Sequence, residues 1–166
     1  RIEMTDISSK NDGVYYGFRG ISQFSSTSDE RVLRFMGKVG ITAKRSSWHF
    51  MQTSPLVTSL FNIKHIISRD GYIADETNLT FVDSIEAESV KKNDDGSPIT
   101  ESVDLYDYNY YLPLGFMAND DIAEAVISSY KDYHAFDTQN DLFRRLTGLD
   151  GDIFSEFEAE SYSISA

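Results

Sequence analysis

Two alternating segments joined by a turn constrain this chain more than any other feature of its sequence. Residues 79–90 read LTFVDSIEAESV and residues 101–112 read ESVDLYDYNYYL. Alternation of apolar and polar side chains is typical of β-strands, because successive side chains point to opposite faces. The intervening NDDGSP is dense in turn-forming residues. We therefore predict a β-hairpin with a long loop over residues 91–98.

The second predicted strand ends in a cluster of tyrosines. Tyr106, Tyr108 and Tyr110 fall at every second position, so they share one face of the strand, and Val103 belongs to the other face. A tyrosine can pack its ring while its hydroxyl stays in water, and such rings can stack on a sugar. With Trp48 they form a candidate glycan-binding set. The same pattern also fits core and sheet surface.

The segment YNYYLPLGFMAND, residues 108–120, predicts a corner after this strand. Pro113 cannot donate a ladder hydrogen bond and is expected to end the strand pairing or to lie at a sheet edge. Gly115 permits a bend, and Phe116 is expected to re-enter the core. GFMA, residues 115–118, is expected to form another short strand.

Helical signals surround these strands. Residues 28–39 combine a capping Ser28 with apolar side chains at helical spacing before Gly40. Ser54-Pro55 predicts the start of a second helix, followed by a strand at KHIIS, residues 64–68. A third helix is expected to begin at residue 137 or 138 and to close before Gly148. These elements predict an α+β fold, with a central mixed or antiparallel sheet and about three flanking helices.

One domain is predicted over residues 1–154. A chain of 166 residues is long enough for one well-cored domain and short for two. Residues 155–166 form an alternating tail, typical of the first strand of a further domain.

Charge excludes one class of partner. The formal net charge is −12, although residues 1–50 hold eight Lys and Arg against five Asp and Glu. An acidic surface repels phosphate backbones, so we expect no nucleic-acid partner.

Motifs for catalysis and for metal binding are missing from the sequence. The chain has no cysteine, and His49, His65 and His134 belong to no zinc-binding pattern. His65 is expected to be a core or sheet residue. No phosphate-binding glycine loop or nucleophile elbow occurs, and LDGDIFSE, residues 149–156, does not match the EF-hand spacing. We expect no metal and no cofactor, and whether the chain takes part in an enzyme stays open.

Four segments together carry a family resemblance. GFRGISQFSS, LFNIKHIIS, YNYYLPLGFMAND and FDTQNDLFRRLTG occur in the order and approximate spacing of the YfhO-like bacterial membrane proteins. The matches extend over roughly residues 1–154. The sequence departs from the family pattern at Asn62, where glycine is expected, and at His65, where tyrosine is expected.

This resemblance implies a polytopic membrane protein similar to the GT-C class of glycosyltransferases. Such proteins are associated with glycosylating cell-wall polymers such as lipoteichoic acid. The resemblance further implies that the catalytic acidic residue lies in a loop between membrane helices, outside this chain. We therefore expect a non-catalytic domain on the extracellular face of the cell membrane, whose partners are the membrane-embedded part of the same protein and a cell-wall polymer or glycan.

Three roles stay open for such a domain. It could position a polyanionic acceptor on its more basic N-terminal part; the candidate contacts are Arg19, Arg31, Arg34, Lys38, Lys44 and Arg45. It could act as a stand-alone carbohydrate-binding module through the tyrosines and Trp48. It could instead dock onto the membrane part or a partner protein, and an exposed apolar patch would indicate that role.

Overall fold

The computed structural model of the chain describes residues 1–51, 54–69, 76–125 and 129–156, apart from the side chains of residues 76, 90 and 91. In chain order its elements are β1 (Ile2–Met4), α1 (Asp12–Tyr16), β2 (Gln23–Phe24), α2 (Glu30–Lys38), β3 (Thr42–Lys44), β4 (Ser47–His49), α3 (Pro55–Leu60), β5 (His65–Arg69), β6 (Leu79–Lys92), β7 (Pro98–Tyr108) and α4 (Ala135–Thr147). Short 3-10 helices cover Glu76–Asn78 and Asp120–Glu124. The fold is α+β, as the sequence predicts.

A mixed four-stranded sheet has the strand order β1-β5-β7-β6. The predicted hairpin forms the antiparallel pair β6–β7, whose register runs from Leu79 opposite Tyr108 to Lys92 opposite Pro98. The turn between the strands is therefore shorter than the predicted loop over residues 91–98. Strand β5 pairs antiparallel with β7, and β1 pairs parallel with β5. This hairpin places Tyr108 at one end of β7 and the turn around Gly96 at the other.

A second, smaller sheet contains the antiparallel strands β2-β4-β3. These strands are not predicted from the sequence, because two or three residues are too few to show an alternating pattern. Its centre is Trp48, which lies opposite Gln23 on one side and Ala43 on the other.

The helix ends follow from their capping residues. Helix α2 starts one residue later than Ser28 would allow, because the Asp29 side chain accepts the hydrogen bond from the Arg31 backbone N–H. Ser54 caps α3, with Pro55 at its first position. Helix α4 begins at Ala135, earlier than the predicted residue 137 or 138, and ends at Thr147, where the C-cap Gly148 has a left-handed φ of 69°.

One hydrophobic core joins the two sheets and three of the helices. Its buried members are Ile21, Met36, Val39, Ile41, Trp48, Phe50, Val57, Ile63, Ile66, Tyr108 and Leu142. The predicted single domain over residues 1–154 stays a prediction, and most of the predicted tail lies outside the described residues.

The structure corrects two predictions about the segment after β7. Residues 115–118 form no strand, since no strand in the described part of the chain pairs with them. Phe116 is 39% exposed and does not re-enter the core. Ladder pairing already ends at Tyr108, before Pro113 is reached.

Candidate functional site

An apolar groove lies at the end of the four-stranded sheet where β7 stops. Its volume is about 670 Å³, and α3, α4 and the segment after β7 line it. Tyr110, Phe116 and Met117 come from that segment, and Phe143 and Leu146 come from α4. The groove therefore brings together side chains distant in sequence.

Hydrogen bonds to the end of α3 hold the segment after β7 in place. The Ser59 hydroxyl donates to the Tyr110 carbonyl at 3.0 Å, and the Leu112 N–H donates to the Ser59 carbonyl at 3.3 Å. The Asn62 side-chain amide donates to the Leu112 carbonyl. These bonds fix the backbone while the apolar side chains that follow stay exposed.

The four candidate glycan-binding rings do not share a surface. Trp48 and Tyr108 are core residues, 7% and 5% exposed. The Trp48 indole N–H donates to the Ile21 carbonyl at 2.6 Å. Tyr106 is half-buried and packs edge-on against Phe81, with 5.6 Å between ring centroids. Of these four rings, Tyr110 alone lines the groove, and it is 62% exposed. It lies beyond the end of β7.

Lys38 is a structural residue. Its side chain is 10% exposed, and its ammonium donates to the Tyr130 carbonyl and lies 3.5 Å from Asp132. The Tyr130 hydroxyl in turn donates to Asp141 at 2.6 Å. Burial, together with that hydrogen bond, raises the pKa of Tyr130 to about 12. Lys38 therefore offers no surface for an acceptor, which corrects its assignment as a contact residue.

Arg31 and Arg34 are exposed but already paired within α2 and its cap. Arg31 bonds Asp29 at 2.6 Å, and Arg34 bonds Glu30 at 2.6 Å. Hydrogen bonds from Arg31 lower the pKa of Asp29 to about 2. These local carboxylates offset much of the positive charge that an acceptor would meet.

Lys44 and Arg45 belong to a basic cleft of about 420 Å³ at the turn between β3 and β4. Lys10 lines the same cleft, and its ammonium donates to the Ser47 hydroxyl at 2.7 Å. Among the described residues none of these three cations forms an ion pair. Lys10 was not among the residues predicted from the sequence, because only the fold brings it beside the turn. Arg19 is exposed and lines a different cleft.

Glu3 places a carboxylate inside the protein, 1% exposed. One carboxylate oxygen accepts from the backbone N–H groups of Ile21 and Ser22, and the other accepts from the Ser22 hydroxyl at 3.0 Å. Burial raises the pKa of Glu3 above its ordinary value, against the opposing effect of these hydrogen bonds. The bonds tie β1 to the segment that enters β2, which is a structural role.

The histidines act as sheet and surface residues. His65 is half-buried on β5, and its Nδ1 lies 2.5 Å from the carboxylate of Asp107 on β7. His134 pairs with Asp137 at 2.9 Å. Burial, and secondarily the charge of Lys10, lowers the pKa of His49. Within the described ranges no group of three His, Asp or Glu side chains could hold a metal ion.

Comparison with known protein families defines the class of this chain. The sequence model of a family described as bacterial membrane protein YfhO matches residues 1–165. The chain therefore belongs to the YfhO family of bacterial membrane proteins. No curated protein and no solved structure matches it. Across the described ranges, no helix has both the length and the apolar character needed to span a bilayer.

The backbone conformation accounts for one departure from the expected family pattern. Asn62, where the resemblance leads us to expect glycine, has a φ of +56°. Glycine adopts this left-handed conformation without a steric cost, and asparagine is among the few other residues that tolerate it. The φ at this position is therefore compatible with either residue.

Proposed function

We propose that this chain is an extracytoplasmic, non-catalytic domain of a YfhO-type membrane protein, and that it assists glycosylation of a cell-wall polymer such as lipoteichoic acid. Its role is to hold the anionic acceptor near the membrane-embedded part of the same protein. Membership of a bacterial membrane protein family supports the setting. The continuous core and the surface rich in charge suit a region that folds in water.

The basic cleft is the observation that carries the acceptor role. In a chain of net charge −12, Lys10, Lys44 and Arg45 meet at one cleft without a carboxylate partner among the described residues. A guanidinium can bind a phosphate oxygen pair in bidentate fashion, and lysines add point charges. The ring of Phe24, which lines the same cleft, offers an apolar face for the carbon part of a phosphodiester.

Titration of the protein with glycerol phosphate and with teichoic acid, followed by NMR shifts at two salt concentrations, tests this role. We expect shifts at residues 44–47 and weaker binding at the higher salt concentration. Replacing Arg45 with Gln is expected to weaken binding at least about tenfold, because one charge-assisted hydrogen bond contributes about 1.5–3 kcal/mol.

Arg31→Gln is the matched control, since Arg31 is more exposed than Arg34 but already bonded to Asp29. We expect this variant to bind glycerol phosphate and teichoic acid with the same affinity as the unaltered protein. Equal loss of affinity in both variants would show a diffuse charge effect and would remove the cleft from the proposal.

The exposed apolar side chains at the groove favour a second role, which is docking onto the membrane or onto the membrane-embedded part of the same protein. An exposed apolar patch on a folded domain marks a contact surface. A domain of a membrane protein has the membrane and the membrane-embedded part of its own chain within reach. By contrast, the burial of Trp48 and Tyr108 removes two of the four rings from the carbohydrate-binding alternative.

A further inference from the structure

The segment after β7 is apolar and free of charge. Residues 108–118 contain no Asp, Glu, Lys or Arg, although 25% of the whole chain is charged. We call Tyr110–Met117 the apolar loop. Its two most exposed side chains, which we call its tip, are Leu114, 84% exposed, and Met117, 99% exposed. Water-facing side chains of this size are costly unless something covers them.

The side chains at the base of the apolar loop are more polar than those at its tip. Tyr110 and Tyr111 stand at the base, where phenol hydroxyls can stay in a polar layer. Leu114 and Met117 stand at the tip and carry no polar hydrogen-bonding group beyond the backbone. Tyrosines at the level of lipid headgroups and aliphatic side chains below them are the arrangement found at bilayer interfaces.

The loop is preorganised. Three hydrogen bonds join its base to Ser59 and Asn62, and Pro113 restricts the backbone between base and tip. A loop that is already held at its base loses less conformational entropy on binding, so more of the burial free energy is available for binding.

Charge is distributed so that the loop can approach an uncharged surface. The acidic turn at Asp94 and Asp95 lies at the opposite end of the 11-residue strand β7. A strand of this length is about 35 Å long, so these carboxylates lie far from the loop. At the base of the loop, the ammonium of Lys64 lies 5.6 Å from the Tyr111 ring centroid. Asp120 and Asp121 follow the loop after two residues and limit insertion to its tip.

We propose that the apolar loop rests on the lipid bilayer, with Leu114 and Met117 at the boundary between headgroups and acyl chains. The ligand is the lipid surface itself, and zwitterionic lipid is preferred because the chain carries a net charge of −12. The proposal rests on the proposed function for one point only, that the domain works beside a membrane. The apolar loop shares no residue with the lining of the basic cleft.

Co-sedimentation with phosphatidylcholine vesicles tests this contact. We expect the protein to bind, and the double variant Leu114→Ser with Met117→Ser to bind about 100-fold more weakly, about tenfold for each buried side chain removed. Vesicles that contain phosphatidylglycerol should bind the protein less well. A Leu114→Trp variant should be quenched by brominated lipid, whereas Trp48, in the core, should not.

The matched control is Val14→Ser with Tyr15→Ser, which removes two exposed apolar side chains from α1. This control should bind vesicles as the unaltered protein does. Absence of vesicle binding, or equal loss in both double variants, would overturn the proposal. A dimer in lipid-free sedimentation that only the loop variant abolishes would also overturn it, in favour of a second copy as the occupant.

These results separate the loop from the proposed acceptor role. Phosphate titration at the basic cleft does not involve Leu114 or Met117. Failure of vesicle binding with intact phosphate binding would therefore reject the lipid contact alone. The reverse result would reject the acceptor role alone.

Discussion

At the scale of single residues, the structure distinguishes charges that hold the fold from charges that are free to bind. Glu3 and Lys38 are both buried, and each is bonded to backbone groups of a distant segment. Lys44 and Arg45 are exposed and unpaired within the described part of the chain. From the sequence, Lys38, Lys44 and Arg45 were equal candidates for acceptor contact, since each is a cation within the N-terminal fifty residues.

Glu3→Gln is expected to change how stability depends on pH. Burial raises the folded pKa of Glu3 above its ordinary 4.5. The folded protein therefore holds the proton more tightly than the unfolded chain does. This contribution is fully present below the unfolded pKa and is lost as the pH rises through the folded pKa, at about 1.4 kcal/mol per unit of difference.

Urea unfolding at a series of pH values would measure this effect. The stability of the unaltered protein minus that of Glu3→Gln should decrease from pH 4.5 upward and then level off. Glu86→Gln, which removes an exposed carboxylate, controls for the change in net charge. A difference independent of pH would contradict the raised pKa.

At the scale of elements, a short chain of side-chain contacts joins three helices. The Ser54 hydroxyl caps α3 by accepting from the Val57 N–H at 3.3 Å, and it donates to the buried side chain of Gln139 on α4. The amide of Gln139 then donates to the Val39 carbonyl at the end of α2, at 3.0 Å. One hydroxyl thus links a helix start, a helix interior and a helix end.

Ser54→Ala is expected to destabilise the protein by about 1–3 kcal/mol, because it removes a helix cap and leaves a buried amide oxygen without its partner. Urea unfolding would give this value directly. Ser54→Thr should recover part of the loss, and Ser26→Ala, at an exposed serine, should cost almost nothing. A loss below about 0.5 kcal/mol for Ser54→Ala would show that water replaces the hydroxyl without penalty.

At the scale of the whole molecule, the net charge of −12 opposes folding by self-repulsion. The exposed pairs Arg31–Asp29 and Arg34–Glu30 offset little of it, since surface ion pairs contribute little to stability.

Stability should therefore rise with salt. Between 0.05 and 0.5 M NaCl we expect a gain of about 1 kcal/mol, or about 2–4 °C in melting temperature. Thermal unfolding monitored by circular dichroism at neutral pH would measure it. A melting temperature that falls over this range would show that screened ion pairs outweigh the repulsion.

Much of the fold could be predicted from local patterns. The β6–β7 hairpin, the strand β5, the Ser54-Pro55 start of α3 and the Gly148 end of α4 were all predicted and are confirmed. Each depends on side-chain periodicity or on capping, which neighbouring residues determine. The three short strands of the second sheet were missed, because their pairing partners, not their own residues, define them.

For the candidate sites too, some features follow from the local sequence and others only from tertiary packing. The sequence by itself determined the fold class, the family and the uncharged stretch 108–118, because periodicity, ordered motifs and charge are written along the chain. Only the tertiary structure decided that Tyr108 and Trp48 lie in the core, that Lys10 joins the basic cleft, and that the tip of the apolar loop faces water. The physical reason is that burial depends on long-range packing of the two sheets and the helices, which no local pattern encodes.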